Sequence, residues 1–239
     1  MRPQLPLSAK HLLVLSIFAA FAPALPRVAR AESLVCDRLI DDFSTNTPGS
    51  WPKGWRERDG GTAEEALKHS RYAVEQASGF KALRGTYGDK SVTIGRSIAN
   101  WDLKQYPILQ WRWQAVRLPK GGDETRSGHN DTAASVYVFW KASWPFRVQS
   151  LKFTWSSTKP VGTHVDRGMG HYHVRVLESG AGHVGQWQTV QADVRTEAIL
   201  RFGEDIGIPY GIAILTDGDD TESPSEALYA EFRLCRKNP

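Results

Sequence analysis

Residues 107–117 read PILQWRWQAVR, and they alternate without a break. Leu109, Trp111, Trp113 and Ala115 fall on one side of an extended chain, and Gln110, Arg112 and Gln114 on the other. Side chains along a strand point to opposite faces with period two, so the stretch predicts a strand with an aromatic inner face and a polar outer one. Two tryptophans on one face need a large apolar partner surface. A second sheet stacked roughly 10 Å away supplies it. The fold class that follows is all-β: a two-sheet β-sandwich whose polar outer face is the candidate binding surface.

The rest of the chain supports this. Further strands are expected at 34–43, 72–76, 82–87, 91–98, 132–142, 149–157, 170–177, 187–194, 207–217 and 227–235. In the 132–142 strand, Ala134, Val136 and Val138 share one face and Ser135, Tyr137 and Phe139 the other. The apolar GIPYGIAIL run reads as a strand buried on both faces. Gly, Pro, Ser and Asp cluster between the strands and mark loops at 44–54, 120–131, 159–170 and 218–226. One short helix is expected at 196–202, ended by Gly203, and 62–68 could take a helical turn. Many short strands with so little helix argue for a single sandwich domain at 32–239.

The first 31 residues have another character. Arg2 and Lys10 precede an uncharged stretch from Leu12 to Leu25, and Ala29-Arg30-Ala31 follows. A basic start, a short apolar run and small residues at −3 and −1 make a secretory signal cleaved after Ala31. The run is 14 residues long, short of the about 20 needed to span a bilayer. The expected address is therefore export, to the periplasm or the extracellular space, with no membrane span after signal removal. Four of the chain's 30 basic residues lie in this segment and none of its 26 acidic ones, so the mature chain is formally neutral. Without a basic excess there is no electrostatic case for nucleic acid. Cys36 and Cys235 are the only cysteines. In an exported chain they read as a disulfide tying the first strand to the last, or else as two buried thiols.

A resemblance adds to this. DDF at 41–43, ILQWRW at 108–113, VYVFW at 136–140, FTW at 153–155, PVG at 160–162, GQW at 185–187, FGED at 202–205 and AILTDGDDTE at 213–222 occur in that order. The series is similar to an exported bacterial family catalogued as a domain of unknown function, over about residues 39–234. The resemblance implies a jelly roll of the galactose-binding-like kind, a superfamily that includes many carbohydrate-binding modules. The family pattern commonly carries an Arg where this chain has Ser135.

Several constellations could carry chemistry. If the strands of Trp111 and Tyr137 are neighbours, Gln110, Arg112 and Gln114 meet Ser135, Tyr137 and Phe139 on one polar face. Arg and Gln match sugar hydroxyls or a carboxylate, and an aromatic ring takes the apolar face of a sugar. A solvated face with ordinary cross-strand pairs is the alternative. Asp131, Trp155, His173 and the loop of Asp217, Asp219 and Asp220 complete the candidate binding residues. The three loop acids could hold a structural Ca²⁺, which takes six to eight oxygens, or could form an Asx-rich turn. Asp41, Asp42 and Glu231 make a second acidic group. His171 and His173 point the same way and could ligate zinc with His164, His183 or Asp166.

No nucleophile elbow, zincin or phosphate-loop motif is present. The expected function is an exported, non-catalytic protein that binds a glycan or similar polar molecule. One alternative is a lyase-like or glycosidase-like enzyme, with Tyr137 or His173 as base and Arg112 or Gln110 on a uronate. The other is an envelope structural or interaction protein.

Overall fold

The computed structural model describes residues 33–57, 70–140, 148–204 and 206–238. The signal expected at 1–31 and the helical turn expected at 62–68 lie outside them. All described residues belong to one compact unit, Glu32–Pro239. Among them no helix is long and apolar enough to cross a membrane.

The chain forms a two-sheet jelly-roll sandwich. The first sheet has the order β11 (Gln188–Asp193), β6 (Ile108–Arg117), β13 (Glu226–Lys237), β4 (Lys81–Tyr87), β3 (Ser70–Gln76), with β1 (Leu34–Asp41) also on β13. The second runs β2 (Arg56–Glu57), β5 (Ile94–Ser97), β12 (Gly211–Leu215), β7 (Ala134–Phe139), β8 (Ser150–Ser156), β10 (Tyr172–Ser179), β9 (His164–Arg167). The β8–β10 pair is parallel.

The alternation in β6 is realised. Leu109, Trp111, Trp113 and Ala115 are fully buried between the sheets, while Gln110, Arg112 and Gln114 keep partial exposure on the outside. Trp111 meets Phe153 of the opposite sheet at a centroid distance of 5.9 Å, and Trp113 meets Trp155 at 6.1 Å. Most tryptophans are thus core, as bulk aromatics on inner faces should be. Trp155 is among them, fully buried, with its Nε1 donating to the Gly180 carbonyl at 3.1 Å. Its expected place in a binding site is corrected: it packs the interior.

The single described α-helix, α1 (Val194–Phe202), starts where the Asp193 side chain accepts the Thr196 amide at 2.8 Å. It ends at Gly203, whose φ of 90° turns the chain away. Cys36 and Cys235 are disulfide-bonded.

β13 is long enough to serve two partners on one side, β4 along its first half and β1 along its second. A bulge at Glu231, with φ of 52°, separates the halves. The extra residue lets Tyr229 and Phe232 both face the core while Glu231 looks out. Two short strands escape the sequence reading. β2 has two residues, and β9 lies inside the Gly- and Pro-rich 159–170 segment expected to be loop.

Candidate functional site

β6 and β7 belong to different sheets. The expected shared face of Gln110, Arg112 and Gln114 with Ser135, Tyr137 and Phe139 therefore does not form: the two sets occupy different sheets of the sandwich. On the first, Arg112 pairs with Glu231 at 3.2 Å and lies 4.3 Å from the Phe80 ring centroid and 5.1 Å from that of Trp187. Gln110 accepts a hydrogen bond from Gln191 at 2.8 Å. These groups are engaged with one another, and the patch is filled by Phe80 and Trp187, which contact edge-on at 5.1 Å.

The outer face of the second sheet is where a ligand-sized space opens. A groove of about 1200 Å³ is lined by Tyr137, Phe139, Tyr172 and Tyr210, with Arg56, Glu57 and Arg96 along one side. Its rings come in two pairs. Tyr137 and Tyr172 are near-parallel at 15° with centroids 6.2 Å apart, and Phe139 and Tyr210 are 5.5 Å apart. The pairs arise from register: Phe139 lies opposite Ser150 and Gly211, and Ser150 lies opposite Tyr172. The floor is kept low by small residues, Gly95, Ser150 and Ala213. A β-carbon at Gly95 would sit 3.2 Å from the Ile212 carbonyl oxygen, tighter than ordinary contact. Arg96 is fixed by Asp41 at 2.8 Å and by the Lys53 carbonyl at 2.9 Å. Smaller depressions of about 330 and 490 Å³ elsewhere carry no aromatic ring among their described lining residues.

Beyond the Tyr137 end of the groove lies a polar cluster. One carboxylate oxygen each from Asp131, Asp217 and Asp219 falls within 4.8 Å of the others. Asp131 is fully buried and accepts the Asp220 amide at 3.2 Å and the Thr221 amide at 2.7 Å, so it organises the 218–226 loop. Asp217 accepts from the Ser91 hydroxyl and from the Gly218 amide. Two core tyrosines hold the backbone beside it. Tyr72 accepts the Thr216 amide at 3.1 Å, and Tyr229 donates to the Leu215 carbonyl at 3.0 Å. Burial pushes the Asp217 carboxyl up to about 7, against the pull of Lys152 and the Ser91 hydrogen bond and with help from Asp219.

Oxygens so spaced fit around one hard cation, whose opposed ligands stand roughly 5 Å apart. The acids that converge are Asp131, Asp217 and Asp219, whereas the Asp220 carboxylate accepts from the amide and side chain of Asn130. The second acidic group does not gather. Asp41 is held by Trp55 and Arg96, and Glu231 by Arg112.

His173 on β10 is nearly buried, with its ring 5.0 Å from Phe202 of α1. Its Nδ1 meets Asp166 at 2.5 Å and its Nε2 the Gly170 carbonyl at 2.9 Å, so both nitrogens are committed. It therefore faces neither the groove nor Arg112. The lyase-like arrangement of Tyr137 or His173 with Arg112 or Gln110 does not assemble. Of the residues expected on a binding face, Tyr137 and Phe139 line the groove, and Asp131, Asp217, Asp219 and Asp220 lie beyond its Tyr137 end without lining it. Tyr172 and Tyr210 were not among them. Tyr172 shares its parity with the buried apolar Val174 and Val176, so alternation offers no outward signal for it.

A jelly roll with an aromatic groove on one outer face is the class these residues define. The chain belongs to the family described as protein of unknown function (DUF3047), which matches residues 53–233. No curated protein matches it. Among solved structures it is similar to an exo-beta-agarase, with 10% identity and a TM-score of 0.47 over 84% of this chain and 25% of that one. The chain thus spans a quarter of the agarase chain's length. It is also similar to the family 30 carbohydrate-binding module of a cellulosomal cellulase of Clostridium thermocellum, at 12% identity and a TM-score of 0.41, covering 70% of this chain and 83% of that one. A third is the xylan-binding CBM22-1 domain from Paenibacillus barcinonensis Xyn10C, at 13% identity and 0.41, covering 88% and 99%. These likenesses lie in the two-sheet architecture.

Proposed function

We propose that the chain is a glycan-binding protein that holds a saccharide chain along the outer face of its second sheet. The observation that carries this reading is the groove with its two ring pairs, Tyr137–Tyr172 and Phe139–Tyr210. Sugar rings present an apolar C–H face that packs on aromatics, while hydroxyls need donors and acceptors at the edge. Arg56, Glu57 and the tyrosine hydroxyls are such groups. A groove of this size suits an extended chain better than a single sugar. The disulfide supports a working place in an oxidising compartment outside the cytoplasm.

The test is affinity electrophoresis and calorimetry of residues 32–239 against xylan, β-glucan, agarose and polygalacturonate. At least one polymer should bind, with tenfold or greater loss in Tyr172→Ala and little change in Arg112→Ala, which sits on the far face. Binding that survives Tyr172→Ala and Phe139→Ala together, or no binding to any polymer, overturns the reading. Two-carboxylate hydrolysis is the competing use of such a groove. Glu57 offers one acid there, and release of reducing ends would assign that use.

A further inference from the structure

Lys152 stands on β8, two residues after Ser150 of the groove floor and directly opposite Tyr137 in register. It is 1% exposed, and its Nζ has no hydrogen-bond partner among the described residues. The ammonium lies 5.7 Å from the centroid of the Tyr137 ring, which forms the groove wall. The carboxyl that attracts it when ionised is Asp217, whose Oδ1 accepts from Ser91 and Gly218 and which makes no hydrogen bond with the ammonium.

An ammonium has three protons to donate and no way to discard its need for acceptors while charged. Lysine is almost never fully buried unless paired, because the interior does not replace the water it loses. A methionine of nearly the same length would fill the space without that penalty. What the fold lacks at this point, a bound anion would supply. On the groove's other side Arg56 is exposed and makes no ion pair with a described residue, whereas Arg96 is already occupied by Asp41. Arg56 is therefore the open positive charge of the groove, with the acid Glu57 beside it, and Lys152 is a buried one next to the Tyr137 ring.

We propose that the groove selects an anionic glycan, one bearing a carboxylate or sulfate on its sugar rings, and that Lys152 is the group that receives the anion. This rests on the reading of the groove as a glycan site. The flexible four-carbon stem carries the ammonium from beneath Tyr137 to the groove, where anion and ammonium pair while a sugar ring packs on Tyr137 and Tyr172.

The experiment compares polygalacturonate and alginate (carboxylates), carrageenan (sulfate), and neutral xylan and agarose, by calorimetry at two salt concentrations. Wild type should prefer one anionic class at least tenfold over the neutral polymers, with affinity falling as salt rises. Lys152→Met should abolish that preference while melting at the same or a higher temperature. Arg56→Gln, on the surface and with an amide still able to bond a hydroxyl, should weaken the anionic polymer severalfold more than any neutral one, which keeps the test open should Lys152→Met fail to fold. Equal binding of neutral and anionic polymers, or anionic preference untouched by Lys152→Met, overturns the proposal but leaves the groove reading standing. Absence of binding to all five polymers overturns both.

Discussion

Asp217 carries a proton in the folded chain at pH values where an unfolded chain has lost it. Its carboxyl is raised from 3.8 to about 7, first by burial. The folded state therefore binds more protons than the unfolded state between those values, and stability falls as pH rises through that window. Raising a carboxyl's pKa by one corresponds to about 1.4 kcal/mol, so the effect amounts to a few kcal/mol by about pH 8. Wild type should lose melting temperature from about pH 4.5 to about pH 8 relative to Asp217→Asn, whose amide does not titrate. Parallel curves for the two proteins would contradict this. Millimolar Ca²⁺ restoring the lost stability at the alkaline end, and a chelator removing it, would assign a cation to Asp131, Asp217 and Asp219. At this scale the sequence is half legible. The run TDGDDTE announces an acidic loop, but which carboxylates converge depends on Asp131, a residue far back in the chain that reaches the Asp220 and Thr221 amides. Asp220 instead turns to Asn130.

Among the elements, β6 carries the densest interior surface. Trp111 touches Trp113 at 5.3 Å and Phe153 at 5.9 Å and has no exposure. Trp111→Ala should cost about 3–5 kcal/mol, from lost transfer energy plus the cavity left behind. The exposed Thr189 on β11 should change by less than about 0.5 kcal/mol when replaced by Ala. Urea titration of both variants checks the contrast, and similar midpoints would refute the assignment of faces. Alternation made this strand readable, because period two is local. Its neighbours were not readable. β6 pairs with β11 and β13, not with the next strand β7, and only long-range register decides that. β9 hid because a four-residue edge strand between glycines has no pattern long enough to count. The groove was missed for the same reason: its rings come from β7, β10 and the approach to β12, and their meeting is a fact of sheet order.

For the molecule as a whole, the sandwich has two unlike outer faces. One is filled by Arg112, Phe80, Trp187 and Glu231, and the other is hollowed between its four rings. The first and last strands, neighbours in the first sheet, are joined by the bond between Cys36 and Cys235, which lie 199 positions apart. In the chain-entropy view a loop this long contributes about 5 kcal/mol by restricting the unfolded chain. Unfolding in urea with and without a thiol reductant should differ by roughly that amount, and equal midpoints would show that the unfolded chain gains nothing from release.

The same bond makes the stretch from Cys36 to Cys235 a covalent ring. A protease that nicks any surface loop inside it produces no free fragment, only an opened circle whose two pieces travel together even in denaturant. The strands that shape the groove lie within that circle, so the floor and walls of the site stay tethered after a first cut, and a second is needed before anything can leave.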